Sequence, residues 1–162
     1  MPHSLRLILS LAAFALPAQA NDVIRHKLPN SDFPILSAAE VPAGRTTVYL
    51  SGAVPTVADS SAPPRTVQAY GDTATQTVST LKAIEATLQR LGLSSGDVFK
   101  MTVFLVADPA AGRMDFDGLM RGYRQFYGTP AQPNLPTRSV VQVSALANPG
   151  WLVEIEVTAV RP

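Results

Sequence analysis

Few residues in this chain of 162 have the type and spacing to do chemistry. Arg138 opens a β-branched run in the stretch Pro136-Thr137-Arg138-Ser139, and two carboxylates, Glu154 and Glu156, alternate along the run that follows. Taken alone they read as a surface arginine paired with an acid and as two solvated glutamates. What is missing narrows the chemistry further. There is no cysteine, which removes disulfides, thiolate nucleophiles and thiolate metal sites together. The histidines are His3 and His26, too few to build a zinc site without cysteine, and His26 reads as a solvated side chain. No Gly-x-Ser-x-Gly, phosphate-loop or Gly-x-Gly-x-x-Gly pattern occurs. Metal, Ser-His-Asp and nucleotide chemistry are therefore not expected, and neither a metal nor a cofactor is called for.

The elements that must position Arg138 and Glu154 follow from periodicity. Residues Thr137 to Val143 and Leu152 to Val160 read as strands joined by the turn sequence Ala147-Asn148-Pro149-Gly150. In the last strand Trp151, Val153, Ile155, Val157 and Ala159 fall on one side, with Glu154, Glu156 and Thr158 on the other. Val98 to Val106 is a third strand, with Phe99, Met101, Val103 and Leu105 on its apolar face. Asp72 to Leu91 predicts a helix on the recurrence of Ala74, Val78, Leu81, Ile84, Leu88 and Leu91, closed by Gly92 as a left-handed cap. Asp115 to Tyr127 predicts a second helix, stopped by Gly128 and Pro130. Thr46 to Val54 reads as a strand and Ala58 to Arg65 as a loop. Asn21 to Leu36 reads as an extended lead-in with an edge strand. The order is strand, strand, helix, strand, helix, strand, strand. Two helices would pack on one face of a mixed sheet, leaving the other face to be covered by assembly.

The first twenty residues differ from the rest. A short N-terminal segment with one cation, an apolar run from Leu7 to Leu16 and Ala18-Gln19-Ala20 have the form of a secretory signal peptide, with cleavage expected between Ala20 and Asn21. The run is too short for a membrane span, which needs roughly 20 residues. Residues 21–162 would form a single domain in an exported, periplasmic or secreted protein with no membrane attachment. The whole chain carries 13 Lys and Arg against 12 Asp and Glu, and loss of Arg6 with the leader makes the mature chain neutral. That leaves no basic footprint for nucleic acid. Without disulfides the fold must rest on its core. A domain of about 150 residues buries about 70% of its unfolded surface, which suffices.

In order along the chain, these pieces resemble the Rid (YjgF/RidA) family. Val48-Tyr49-Leu50-Ser51-Gly52 resembles its Ser-Gly strand, and Gln76 with Leu81-Lys82-Ala83-Ile84 and Leu91-Gly92 its first helix. Asp97-Val98 through Leu105 resembles its third strand. Phe116, Tyr123 and Phe126 match its second helix, and Pro136-Thr137-Arg138-Ser139 and Val153 to Val160 its two C-terminal signatures. The ordered set spans about Phe33 to Arg161.

The resemblance implies a chorismate-mutase-like α/β (α+β) fold, a mixed sheet with two helices packed on one face. It implies a homotrimer of barrel-like form whose sheets face inward and whose clefts lie between subunits. It also implies a metal-independent enamine/imine deaminase that hydrolyses 2-aminoacrylate and related 2-imino acids, such as 2-iminopropanoate and 2-iminobutanoate, to 2-oxo acids and ammonia. On that pattern Arg138 grips the substrate carboxylate, Glu154 positions water or relays the proton, and Ser51 and Gly52 line the cleft floor. Glu156 makes structural or intersubunit contacts. The physics suits them, because a planar guanidinium holds a carboxylate through two parallel hydrogen bonds that a lysine cannot reproduce. Three positions depart from the pattern: Phe33-Pro34-Ile35 stands for Gly-Pro-Tyr, Met120 for an Asn, and Ala53 for a Gln. They predict a less polar pocket and an altered substrate. The alternative is a trimeric carboxylate-binding or holdase-like protein that uses the same cleft without turnover. Ribonuclease or translation-inhibitor activity, attached to some relatives, is disfavoured by the neutral charge.

Overall fold

The alternation of apolar and polar residues near the C-terminus is realised as a central strand. The computed structural model describes residues 22–162; the expected signal peptide and its cleavage point lie outside them. In β6 (Val153–Val160) the odd-numbered residues are buried, while Glu154 and Thr158 are half-buried and Glu156 exposed. β6 pairs antiparallel with β4 (Val98–Val106) and with β3 (Thr47–Tyr49). β5 (Thr137–Val143) runs parallel to β4 on its other side. β2 (Leu36–Glu40) joins β5 at Leu36–Thr137 and pairs antiparallel with β1 (Ile24–Lys27). The result is a six-stranded mixed sheet in the order β1-β2-β5-β4-β6-β3.

Two long elements cover one face. α2 (Thr73–Arg90) is capped by Asp72, whose carboxylate accepts from the Thr75 N–H at 2.8 Å. It ends at Gly92, in the left-handed region at φ 70°, as expected. α3 (Phe116–Tyr123) is capped by Asp115, which accepts from the Gly118 N–H at 2.8 Å, and supplies the crossover between parallel β4 and β5. The two helices approach closely because α3 presents glycines. A Cβ on Gly122 would stand 2.7 Å from the Thr77 Cβ, and one on Gly118 3.2 Å from the Thr73 Cβ. Between helices and sheet sits one core, in which Leu81, Ile84, Leu88, Met101, Val103, Leu105, Leu119 and Ile155 are almost wholly buried. Each fully buried aliphatic side chain contributes ~1.5–3 kcal/mol. Among the described residues no helix is long and apolar enough to cross a membrane.

The structure departs from the sequence reading in several places. The lead-in is a hairpin of two strands, and β2 extends past Leu36 into Ser-Ala-Ala-Glu, residues with little strand preference of their own. The strand expected over 46–54 pairs regularly only to Leu50, whose N–H donates to the Val157 carbonyl. Pairing resumes at Ala53 opposite Ile155, so Ser51-Gly52 bulges against Glu156. A short helix, α1 (Val67–Tyr70), follows the Pro-containing loop. Phe99 is not in phase with Met101: the β4–β6 register slips between Val98 and Lys100, and Val98 takes the core position. The second helix stops at Tyr123, and the stretch to Tyr127 tightens into a turn with Phe126 N–H on the Tyr123 carbonyl. His26 is not merely solvated; its Nε2 lies 2.7 Å from Glu40 Oε1 across the β1–β2 pair, both side chains being exposed.

Candidate functional site

Arg138 is the second residue of β5 and is paired in register with Met101. Met101 pairs in turn with Val157, and both face the core beneath the helices. Arg138 therefore projects under α3 instead of into solvent. Its guanidinium carbon lies 4.2 Å from the ring centre of Tyr123, 5.6 Å from that of Phe33 and 6.0 Å from that of Phe116. Nη2 donates to the thioether sulfur of Met120 at 3.2 Å. Nε and Nη1 are buried and have no acceptor among the described residues. Burial pushes the guanidinium below its ordinary pKa, Tyr123 pulls it back up and Arg124 adds to the fall. A cation held by three ring faces and a weak acceptor is attracted by the rings but still lacks the oxygen partners that a buried charge requires.

The frame around this arginine is firmly held. Tyr123 is fully buried, stacks on Tyr127 at 5.0 Å and donates its hydroxyl to the Pro34 carbonyl at 2.8 Å. Burial pushes the Tyr123 phenol above its ordinary pKa, partly offset by Arg138 and Arg124. Arg25 donates to the carbonyls of Leu135 (2.6 Å), Gly96 (2.9 Å) and Val98 (3.0 Å), fixing the segment that leads into Pro136 and Arg138. Burial lowers its pKa, while Asp97 and Tyr127 raise it.

Glu154 occupies different ground. It pairs in register with Phe104, three residues along β4 from the partner of Arg138, and so faces the opposite side of the sheet. Its side chain lies over Gly52: a Cβ there would run into Oε1 and stand 2.9 Å from Cδ. Ser51 and Gly52 line a cleft of about 440 Å³ between the edge of β3 and α2, together with Tyr49, Ala83, Thr87 and Leu91. Glu156, on the same open face, borders a separate cavity of about 310 Å³ with Lys100 and Thr102. Within one chain, then, Gly52 meets Glu154 and lines the β3–α2 cleft with Ser51, a cleft that Glu154 does not line, whereas Arg138 lies beyond β4 and β6 and on the other face. Among the described residues no group of three or more His, Asp or Glu is placed to hold a metal ion.

The aromatic cage is the part of the site that sequence reasoning missed. Phe116 and Tyr123 stood out only as matches to the family's second helix, and Phe33 only as part of a departure from a motif. Nothing in the sequence signals that Arg25 would spend its donors on three carbonyls.

Residues 36–161 match the model of the family described as Endoribonuclease L-PSP. The chain belongs to this family, the YjgF/Rid family. TdcF of Escherichia coli K12, a candidate reactive intermediate deaminase by name, is 36% identical over 114 residues, covering 70% of this chain and 78% of TdcF. The crystal structure of E. coli TdcF with bound serine is similar at a TM-score of 0.56 and 34% identity, covering 75% of this chain and 85% of that one. YyfB of Yersinia pestis, a protein of the Rid family, gives a TM-score of 0.60 at 25% identity over 83% of this chain and 96% of YyfB. The YjgF product of E. coli gives 0.56 at 29% identity over 83% of this chain and 93% of YjgF. The α+β architecture with a mixed sheet is thus the Rid fold, and the chain has a Rid-family role.

Proposed function

We propose that the chain is a Rid-type deaminase that hydrolyses 2-imino acids of the 2-aminoacrylate type to 2-oxo acids and ammonia. The observation that carries this reading is the Arg138 guanidinium, buried among rings with Nε and Nη1 lacking any acceptor among the described residues. A carboxylate supplies the missing oxygens as charge-assisted hydrogen bonds. Support comes from relatives: TdcF carries a deaminase name, and its structure holds serine, a ligand with a carboxylate beside a nitrogen-bearing carbon.

In this reading the 2-imino carbon, C=N, takes the oxygen of a water molecule. Glu154 accepts a proton from that water and returns it to nitrogen. The resulting carbinolamine passes its hydroxyl proton to nitrogen and breaks its C–N bond, releasing ammonia and leaving the carbonyl of the 2-oxo acid. The electrophile is the imine itself, so the step calls for no metal. Because Arg138 and Glu154 face opposite sides of one sheet, the reading joins them between copies of a homotrimer, with Ser51 and Gly52 on the Glu154 side of each cleft. It extends to an exported protein matured between Ala20 and Asn21, which the mass of the N-terminal peptide of the secreted form checks.

The test is release of ammonia and 2-oxo acid from imines generated in situ by an amino-acid oxidase. Arg138→Ala removes a bidentate, charged anchor and should lower the rate on the order of a hundredfold. No acceleration over buffer by the wild-type protein, with several side chains tried, would leave the carboxylate-binding, holdase-like reading in its place. Salt-sensitive RNA binding is not expected, and its appearance would point to the ribonuclease named in the family description.

A further inference from the structure

The Arg138 cage closes over Nε and Nη1, and its walls differ in how they are held. Phe116, Met120 and Tyr123 stand on or at the ends of α3, which is locked to α2 through Gly118 and Gly122. Phe33 comes from the connection between β1 and β2 and is half-buried. Its N–H donates to Ser31 Oγ at 3.2 Å, and the Ile35 N–H donates to its carbonyl at 2.8 Å, making a three-residue turn around Pro34. Its ring stacks on Phe116 with centroids 6.3 Å apart and planes 14° from parallel, and covers the guanidinium at 5.6 Å. A ligand oxygen can reach Nε or Nη1 only if one wall moves. Moving the α3 groups would break the core, whereas a loop ring anchored by local hydrogen bonds can swing.

We propose that Phe33 is the movable cover of this site: its ring shields Arg138 and yields to a carboxylate ligand, and an aromatic substituent on that ligand takes its place against Phe116. This rests on the reading of Arg138 as the carboxylate anchor. When Phe33 swings out, one face of Phe116 and one face of the guanidinium lose their partner. A ligand with a flat ring restores both contacts; a ligand with a methyl group restores neither. Offset aromatic stacking of this kind corresponds to roughly a tenfold difference in affinity. The chain should therefore favour 2-imino and 2-oxo acids with aromatic side chains over the three-carbon compounds.

The experiment measures binding of phenylpyruvate and pyruvate by calorimetry to the purified wild-type protein, Phe33→Ala and Phe33→Leu. Thermal unfolding of each protein and the solvent exchange rate of the Arg138 Nε–H by NMR are measured alongside. Wild type should bind phenylpyruvate at least tenfold more tightly than pyruvate. Phe33→Ala removes the cover and leaves Phe116 bare, so it should tighten both acids by a similar factor of about tenfold, the stacking that opening no longer breaks, keep the preference for phenylpyruvate, and speed exchange of the Arg138 Nε–H. Phe33→Leu keeps apolar bulk without a stacking face, so it should tighten both acids by a smaller factor, and it carries the test if Phe33→Ala does not fold. A wild-type preference for pyruvate, affinities that neither folded variant raises, or failure of the folded proteins to bind either acid would overturn the proposal. Selective binding of phenylpyruvate without imine turnover would keep the cover and sink the deaminase reading. Imine turnover indifferent to Phe33 would do the reverse.

Discussion

Gly52 and Glu154 compete for the same space, and that makes the glycine a handle on the carboxylate. The Glu154 side chain lies where a Cβ on Gly52 would be. Gly52→Ala has to push that side chain aside, and a half-exposed carboxylate can move at little cost to the fold. The expected outcome is a melting temperature within a few degrees of wild type, since such a surface shift costs about 0.5 kcal/mol or less. The imine-hydrolysis rate should fall at least about tenfold, because a displacement of about 1 Å from productive geometry is expensive. Thermal unfolding and steady-state rates on the same sample check it; an unchanged rate would remove Glu154 from the chemistry. At this scale the sequence was legible by type but not by neighbour. Arg138, Glu154, Ser51 and Gly52 could be singled out, and Met120 could be marked as a departure. The role of Met120 as the sulfur against Arg138 Nη2 could not, because helical periodicity assigns a residue to a face and says nothing of what crosses that face from another strand.

Elements were legible where their own residues set them and obscure where a neighbour did. The caps of α2 illustrate the first case: Gly92 takes the left-handed position expected of it, and Asp72 caps the other end. The buried face of α2 illustrates the second. Apolar spacing pointed to Ala74, Val78 and Leu91, yet Leu91 is 40% exposed while Thr73, Gln76, Thr77 and Thr80 are buried. The threonines are buried because α3 approaches with glycines and leaves room only for small side chains. Gln76 is buried because it donates to the carbonyls of Gly71 (2.9 Å) and Gly150 (3.0 Å) and accepts from the Leu152 N–H at 2.7 Å, so its burial carries no unmet hydrogen bond. The slip that puts Val98 in place of Phe99 is likewise invisible to a period of two. A pH prediction belongs to the α2 cap. Hydrogen bonds from the Thr75 N–H and hydroxyl hold the Asp72 carboxyl below its ordinary 3.8, and Arg121 adds to the fall. A carboxyl whose folded pKa is depressed stabilises the fold above its unfolded pKa and loses that contribution as pH falls through the folded value. Asp72 is mostly exposed, so screening keeps the effect near the cap value of ~1 kcal/mol or less. Asp72→Asn still caps but does not titrate. Its melting temperature should fall less than that of wild type between pH 5 and below 3.8, measured by circular dichroism; parallel curves would refute the assignment.

At the scale of the whole molecule, the sheet keeps one face open. Tyr49 is 80% exposed and Val141 42% exposed there, beside Glu154, Glu156 and Thr158. Arg138, facing the other way, has a guanidinium in want of an oxygen acceptor. No rotation of side chains brings Glu154 through the sheet to Arg138, so a shared site requires that one copy supply the arginine and a neighbour the carboxylate. That requirement has a sharp consequence for mixed assemblies. Arg138→Ala and Glu154→Gln should each be nearly inactive as pure proteins. Co-expression with different tags and purification through both gives, for the proposed trimer, mixed assemblies in which some clefts pair an intact Arg138 from one copy with an intact Glu154 from the next. Random assembly of equal amounts makes about a quarter of all clefts intact, and selection for mixed trimers raises that share. The imine-hydrolysis rate per chain should then recover to about a quarter of wild type or more, while the same two proteins mixed after purification, without subunit exchange, stay at the sum of their separate rates. If both residues served one chain's own site, no mixture could contain an intact cleft, and co-expression would recover nothing.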